Sequence, residues 1–135
     1  MVVLVTGASR GIGRKIAKKM SQKGYKVIAN YNKSEEEAQK LKQENDNIDI
    51  YKADVSKRVE VHQMVNDVIQ KYGKIDVLIN NAGIAQEKMF IDVTDEDWNE
   101  IINNNLYSTF CVIQEVLPTM TARKKGCIIN ISSIW

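Results

Sequence analysis

The sequence predicts an α/β fold in which a doubly wound parallel sheet carries helices on both faces. Short apolar runs alternate with helical patterns along all 135 residues, without repeats, linkers or low-complexity tracts. Strands separated in this way imply right-handed crossovers and a parallel sheet in one domain. The predicted strands are Val2–Val5, Lys26–Tyr31, Ile48–Ala53, Ile75–Ile79 and Cys127–Ile131.

Helix signals fill the segments between the first four strands. Apolar residues spaced as one helical face follow the first strand, namely Ile12, Ile16, Ala17 and Met20. Gly24 is placed to stop this helix. Ser34 and Glu37 predict a capping box for a charged helix over Glu35–Glu44. Ser56 is predicted to cap a third helix, which Gly73 ends.

Two further helices are predicted before the last strand. Thr94 and Asp97 open the first, and a second run spans about Leu106–Thr121. Pro118 is expected to kink or end that run, because proline lacks a donor and clashes with the preceding turn. Trp98, Phe110 and the five methionines are interpreted as core residues. The acids of the segment 92–97 favour a helix start over a metal site, so no metal is predicted.

Composition excludes several function classes. Apolar residues make up 44% of the chain and charged residues 27%, with a net charge of +2. The cations are scattered among acids, so neither nucleic acid nor a membrane surface is an expected partner. The sequence contains no run of 18 apolar residues, so no membrane-spanning helix is predicted. Cys111 and Cys127 lie in apolar segments, are interpreted as reduced core thiols, and favour a cytoplasmic protein.

A glycine-rich turn organises the chain. Thr6-Gly7-Ala8-Ser9-Arg10-Gly11-Ile12-Gly13 lies where the first strand passes into the first helix. Such a turn suits a dinucleotide, since the glycines admit a diphosphate and the helix N-terminus presents free N–H groups to it. A tight turn without a ligand is the alternative reading of this motif alone.

The residues that follow each predicted strand are candidates for ligand binding, since ligands of parallel sheets bind at the carboxyl ends of the strands. After the second strand no acid precedes Glu35, whereas Lys33 lies nearby and Arg10 lies in the glycine turn. Two cations without a carboxylate favour a 2′-phosphate and hence NADP(H) over NAD, unless both are ordinary surface charges. Asp54 follows the third strand, where it either caps a turn or accepts the adenine amino group.

Polar residues also follow the last two predicted strands. Asn80-Asn81-Ala82-Gly83 fits a polar turn beside a ligand, and Ser132-Ser133 ends the fifth strand. A hydroxyl there is a candidate for orienting a substrate carbonyl, although paired serines are also common in turns.

Together these segments resemble the first half of the short-chain dehydrogenase/reductases, close to the beta-ketoacyl-acyl-carrier-protein reductases. The resemblance rests on the glycine turn, Asp54-Val55, the segments 80–83 and 98–110, and Asn130-Ile131-Ser132-Ser133, in the family's order. It implies a Rossmann-like fold, truncated after the fifth strand, in which residues 1–135 form the dinucleotide-binding portion.

The resemblance assigns roles residue by residue. Ser133 is the expected catalytic serine, and Asn105 matches an asparagine that distorts its helix and holds a proton-relay water. The expected cofactor contacts are Thr6, Gly7, Ser9, Arg10, Gly11, Ile12, Gly13, Asn32, Asp54, Val55, Asn81, Ala82 and Gly83.

The implied activity is NADPH-dependent reduction of a ketone, in first place a 3-oxoacyl thioester of fatty acid biosynthesis, by a homotetramer. The family's acid is a tyrosine with a lysine four residues later, and none of the five tyrosines here has that spacing. The chain as given is therefore expected to be inactive. A non-catalytic nucleotide-binding module and a structural fragment are the alternatives.

Overall fold

The computed structural model describes residues 1–133, in which a five-stranded parallel sheet has the order β3-β2-β1-β4-β5. This is a Rossmann-like α/β topology, as the sequence predicts. The strands are β1 Val2–Val5, β2 Lys26–Tyr31, β3 Ile48–Lys52, β4 Val77–Asn80 and β5 Cys127–Asn130. The helices are α1 Gly11–Gln22, α2 Glu35–Gln43, α3 Arg58–Tyr72, α4 Asp95–Ile102 and α5 Ser108–Ala122. A 3₁₀ turn spans Phe90–Asp92, and a π-helical segment, Asn103–Tyr107, joins α4 to α5.

Strand β1 lies at the centre of the sheet and is buried on both faces. Its Val2 and Leu4 pack against α3 and α5, while Val3 and Val5 pack against α1 and α2. Because successive side chains of a strand point to opposite faces, an unbroken apolar run is what a strand between two helical layers requires.

The helix boundaries follow local signals. Gly73 caps α3 with φ +77°, and Gly24 follows α1 with φ +79°, so both glycines end their helices as predicted. Thr94 and Asp97 form a capping box at the start of α4. Pro118 lies inside α5 and does not end it, which corrects that alternative.

Ser34 is the N-cap residue of α2 as predicted, but its capping box does not form, and the predicted Ser56 cap of α3 is wrong. Ser34 makes no capping hydrogen bond, and the Glu37 carboxylate pairs with Lys40 at 3.0 Å and Arg14 at 3.5 Å. Ser56 lies outside α3, whose N-cap residue is Lys57, since the Ser56 hydroxyl donates to Asp54 Oδ1 at 2.7 Å.

Several apolar residues are exposed, among them some that were predicted to lie in the core. Ile12 is 62% exposed although Ala17 of the same helix is buried, so the apolar face of α1 excludes Ile12. Trp98 and Phe110 project from α4 and α5, and Cys127 on β5 is also exposed. Two of the five methionines, Met1 and Met89, are exposed as well.

The amino-terminal edge of the sheet is tied by one buried carboxylate. Asp76 Oδ2 accepts from the Val2 N–H at 2.9 Å, and Asp76 Oδ1 accepts from Arg123 Nη1 at 2.9 Å. Arg123 Nη2 also donates to the Ile75 carbonyl at 2.6 Å. Burial alone would raise the pKa of Asp76, but the hydrogen bonds from Val2 and Arg123 outweigh it and hold that pKa below its usual value.

Replacing this carboxylate tests the tie. Asp76→Ala is expected to lower the free energy of unfolding by about 2–4 kcal/mol, because the Val2 N–H and the Arg123 guanidinium lose a buried acceptor. Lys74→Ala removes only a peripheral 3.5 Å ion pair and should cost less than about 1 kcal/mol.

The pH dependence of the same pair follows from the lowered pKa. Asp76 stabilises the fold above its unfolded-state pKa of about 3.9, and this contribution is lost as pH falls through the lower folded-state pKa. Urea denaturation should therefore show wild type and Asp76→Ala converging in acid. A constant difference down to about pH 2 would contradict this role.

Candidate nucleotide and substrate site

The candidate site lies at the carboxyl ends of β1 and β4, where the strand order changes direction. The chain runs outward from β1 to β2 and β3, then returns to place β4 on the other side of β1. This reversal leaves a crevice between the loops that leave β1 and β4, the usual ligand position in such sheets.

The loops after β1 and β4 are joined through Thr6 and Asn81. Thr6 Oγ1 accepts from the N–H groups of Asn81 and Ala82, each at 3.0 Å. Asn81 Nδ2 donates to the carbonyls of Thr6 at 3.0 Å and Gly7 at 3.1 Å. Four hydrogen bonds therefore hold the glycine turn against the segment after β4.

Three glycines meet different demands in this turn. Gly7 has φ +62°, and a Cβ there would lie 2.8 Å from Ala82 Cα. A Cβ on Gly13 would lie 2.4 Å from the Gly7 carbonyl oxygen. Gly11 has φ +57° but a Cβ would meet nothing within 4 Å, so the main chain is open there. Gly7 and Gly13 allow close packing, whereas Gly11 supplies the positive φ with which α1 begins.

Asn30, at the end of β2, supports the turn from the other side. The Gly7 N–H donates to Asn30 Oδ1 at 3.3 Å, and Asn30 Nδ2 donates to the Ala53 carbonyl at 2.9 Å. The Ala8 N–H donates to the Asn30 carbonyl at 2.8 Å. Sequence reasoning read Asn30 only as a strand residue, since its bonds depend on how β1 and β3 flank β2.

A first cleft of about 380 Å³ opens beside the turn. It extends from the ends of β1 and β2 across the β3 end to the α4 region. The residues predicted to contact the cofactor that line it are Gly7, Ser9, Arg10, Asn32, Asp54, Val55, Asn81, Ala82 and Gly83. Glu100 and Asn104 also line it. Sequence reasoning missed both, because only tertiary structure shows that α4 reaches this cleft.

Asp54 caps a turn, the first of the two roles considered for it. Its Oδ1 accepts from the Ser56 N–H at 3.0 Å as well as from the Ser56 hydroxyl. Burial alone would raise the pKa of Asp54, but the hydrogen bonds from Ser56, the nearby Lys57 and a hydrogen bond from Asn32 lower it. The carboxylate is therefore ionised at neutral pH.

The cations of this cleft are not neutralised by the chain. Arg10 and Lys33 are exposed and form no ion pair within residues 1–133. The nearest acid in sequence to Lys33, Glu35, pairs instead with Lys52 at 3.6 Å. Arg10 and Lys33 make their side of the cleft positively charged and suited to an anionic group, while Asp54 and Glu100 line its other sides.

A second cleft of about 580 Å³ continues from the first and shares the segment 81–84 with it. Both predicted catalytic residues, Asn105 and Ser133, line this cleft, as does Ile12. Thr6, Gly11 and Gly13 line neither cleft. Thr6 bonds instead to the segment after β4, and Gly13 packs against Gly7 and Asn81.

Asn105 lies in the π-helical segment between α4 and α5, so the helix is distorted where the resemblance implies. Its Oδ1 accepts from the Ile84 N–H at 2.8 Å, and its Nδ2 donates to the Ile84 carbonyl at 2.9 Å. A Cβ on Gly83 would lie 3.2 Å from Asn105 Oδ1. The distorted helix thus holds the loop after Gly83 through a two-bond amide contact.

Comparison with known proteins agrees with this geometry. The chain is 39% identical over 135 residues to a 3-oxoacyl-acyl-carrier-protein reductase of Staphylococcus epidermidis. The aligned region covers 97% of this chain and 55% of that reductase. The chain therefore spans about half the length of the curated relatives it matches.

Solved structures match over almost the whole chain. A short-chain dehydrogenase from Streptomyces avermitilis superposes with a TM-score of 0.93 at 32% identity, over 98% of this chain and 48% of that one. An actinorhodin polyketide ketoreductase with NADPH superposes with a TM-score of 0.92 at 34% identity, over 98% and 52%. The family model for short chain dehydrogenase matches residues 1–135. The chain belongs to the short-chain dehydrogenase family.

Proposed function

We propose that this protein is an NADP(H)-dependent oxidoreductase that reduces the ketone of a 3-oxoacyl thioester, carried by acyl-carrier protein, to the 3-hydroxy form. The observation that carries the proposal is the continuity of the two clefts. The glycine turn borders the first, Ser133 borders the second, and the segment 81–84 is common to both. The similar reductase of Staphylococcus epidermidis and the ketoreductase with NADPH support the same activity.

The residues present fit a dinucleotide. Gly7, Ser9 and Arg10 of the glycine turn line the first cleft, and the first N–H groups of a helix attract phosphate oxygens. Asp54 and Val55 would border the adenine in the first cleft. The side chain of Ile12 would lie beside the nicotinamide in the second cleft.

The preference for NADP(H) over NAD is proposed from charge. Arg10 and Lys33 line the first cleft together with Asn32, and the acid Glu35 is paired with Lys52. A 2′-phosphate adds negative charge that the two cations offset, and arginine binds phosphate with two parallel hydrogen bonds.

The chemistry divides between the cofactor and the chain. A bound reduced nicotinamide supplies the hydride. Ser133 would donate a hydrogen bond to the ketone oxygen and polarise it, and Asn105 would shape the wall beside it through its bonds to Ile84.

The family's proton-donating tyrosine and its lysine have no counterpart in these 135 residues. For residues 1–135 alone we therefore propose nucleotide binding without turnover, which keeps a non-catalytic binding module as the second candidate.

Assembly into a homo-oligomer, a tetramer by resemblance, is part of the proposal, as is a cytoplasmic location. Trp98, Leu106, Phe110 and Leu117 expose apolar surface along α4 and α5. We call this the α4–α5 face. Apolar patches of this kind commonly mark protein contacts. No helix within residues 1–133 is long and apolar enough to cross a membrane.

Coenzyme titration and turnover together test the activity. NADPH fluorescence should show saturable binding by the protein, and NADPH oxidation should accompany reduction of acetoacetyl-CoA by a polypeptide that includes the family's tyrosine and lysine. Residues 1–135 alone should bind but turn over at least about 10²–10⁴ times more slowly, because a general acid is lacking. An absence of saturable NADPH binding would refute the proposal.

Arg10 provides a test of the cofactor preference. Arg10→Ala should raise the dissociation constant for NADPH about tenfold and that for NADH less than about twofold, since only NADPH carries the 2′-phosphate. Lys15→Ala removes an exposed cation of α1 that lines neither cleft and is the matched control. Equal losses for both coenzymes in Arg10→Ala would count against the 2′-phosphate assignment.

A charge placed on the α4–α5 face should disturb assembly. Phe110→Glu is expected to shift the sedimentation mass towards the monomer, because a carboxylate is costly to bury in an apolar contact. Lys19→Glu places a carboxylate on α1, in the opposite helical layer, and should leave the mass unchanged. An oligomer that persists unaltered in Phe110→Glu would show that another surface pairs the subunits.

A further inference from the structure

The second cleft contains three side-chain amides, and two of them are committed to the scaffold. Asn81 Nδ2 donates to the carbonyls of Thr6 and Gly7. Asn105 uses both its oxygen and its nitrogen on the main chain of Ile84. Asn81 therefore has no N–H left for a ligand, and Asn105 has one N–H beyond its bond to the Ile84 carbonyl.

The third amide, Gln86, is held by its oxygen alone. Gln86 Oε1 accepts from the N–H groups of Glu87 at 2.9 Å and Lys88 at 3.0 Å. Two donors on one oxygen fix which end of the amide is the carbonyl. Within residues 1–133, Gln86 Nε2 donates no hydrogen bond, and its side chain is half-buried in the cleft wall.

The loop that carries Gln86 is anchored at its far side. Lys88 Nζ lies 2.5 Å from Asp97 Oδ2, and Asp97 also closes the capping box with Thr94. The hydrogen bonds from Lys88 and from the Thr94 main chain lower the pKa of Asp97 to about 2. This carboxylate is therefore ionised at neutral pH and keeps the loop tied to the start of α4.

We propose that Gln86 binds the substrate, with Nε2 donating a hydrogen bond to a second acceptor oxygen beyond the ketone that reacts near Ser133. Gln86 and Ser133 line the same cleft. The amide oxygen of Gln86 is already bonded to the loop, so the group that it offers to a ligand is the NH₂ donor. The substrate class so selected carries two oxygens in a 1,3 relationship, as 3-oxo thioesters and 3-oxo esters do. The inference rests on the proposed reductase function and adds the residue that distinguishes such substrates from simple ketones.

Gln86→Glu is the discriminating variant, made in the protein expressed from its complete coding sequence. A glutamate retains an oxygen that accepts from the Glu87 and Lys88 N–H groups, so the loop contacts persist while the donor becomes an acceptor. Glu87→Gln changes the adjacent residue, which is exposed and lines neither cleft, and is the matched control.

The probes are the uncharged N-acetylcysteamine thioester of acetoacetate and 2-heptanone, which has no second acceptor. In Gln86→Glu we expect the ratio of kcat/KM for the thioester to kcat/KM for the ketone to fall about 10–100-fold. The reason is that the second oxygen of the thioester then faces a carboxylate oxygen and loses its hydrogen-bond donor. The dissociation constant of the thioester for NADP⁺-loaded protein should rise by a similar factor. NADPH affinity should stay within about twofold, and Glu87→Gln should leave every value unchanged.

The outcomes separate this inference from the function on which it rests. A thioester-to-ketone ratio and a thioester dissociation constant that both stay within about threefold of wild type would overturn the role of Gln86 while leaving the reductase activity intact. Weakened NADPH binding with an unchanged ratio would also overturn it and assign the amide to the coenzyme. A wild-type protein that neither binds NADPH nor reduces either probe would remove both proposals.

Discussion

The hydrogen bonds between Thr6 and Asn81 are the constraint on which the site depends. They join two loops that are 75 residues apart in sequence and lie side by side only because β4 pairs with β1. Through them the glycine turn takes its position from the centre of the sheet. The shape of the candidate site is thus a consequence of strand order.

The same linkage connects the first cleft with the second. The segment 81–84 forms a wall of both clefts, and Ile84 at its end is held by Asn105 from the distorted helix. Movement of Asn81 would therefore disturb the first cleft at Gly7 and the second at Asn105.

The sequence was sufficient to predict all five strands to within one or two residues at their ends, and to propose a site at their carboxyl ends. Apolar runs buried on both faces have no other explanation in an alternating α/β pattern, and the glycine turn is a local signal. The exposure of Trp98 and Phe110 could not be predicted, because apolar character alone does not show which helical faces the fold covers. Ser34 and Ser56 met the local rule for caps, yet Glu37 pairs with Lys40 and Arg14, and the Ser56 hydroxyl bonds to Asp54.

The residues missed by sequence reasoning share a cause. Asn30, Glu100 and Gln86 become relevant only when the strands and α4 are in place, since their spacing in sequence matches no motif. Gln86 in particular is recognised because its amide oxygen accepts two main-chain hydrogen bonds while its nitrogen donates none within residues 1–133. Only the three-dimensional structure shows this difference.

Amide chemical shifts recorded during an NADPH titration of the ¹⁵N-labelled protein test the central claim most directly. If the loops joined by Thr6 and Asn81 form the coenzyme site, the largest shifts occur at Ser9, Gly11 and Ile12 and across the segment 81–83, and all saturate together. Larger shifts along the α4–α5 face, with the glycine turn unperturbed, would contradict the account.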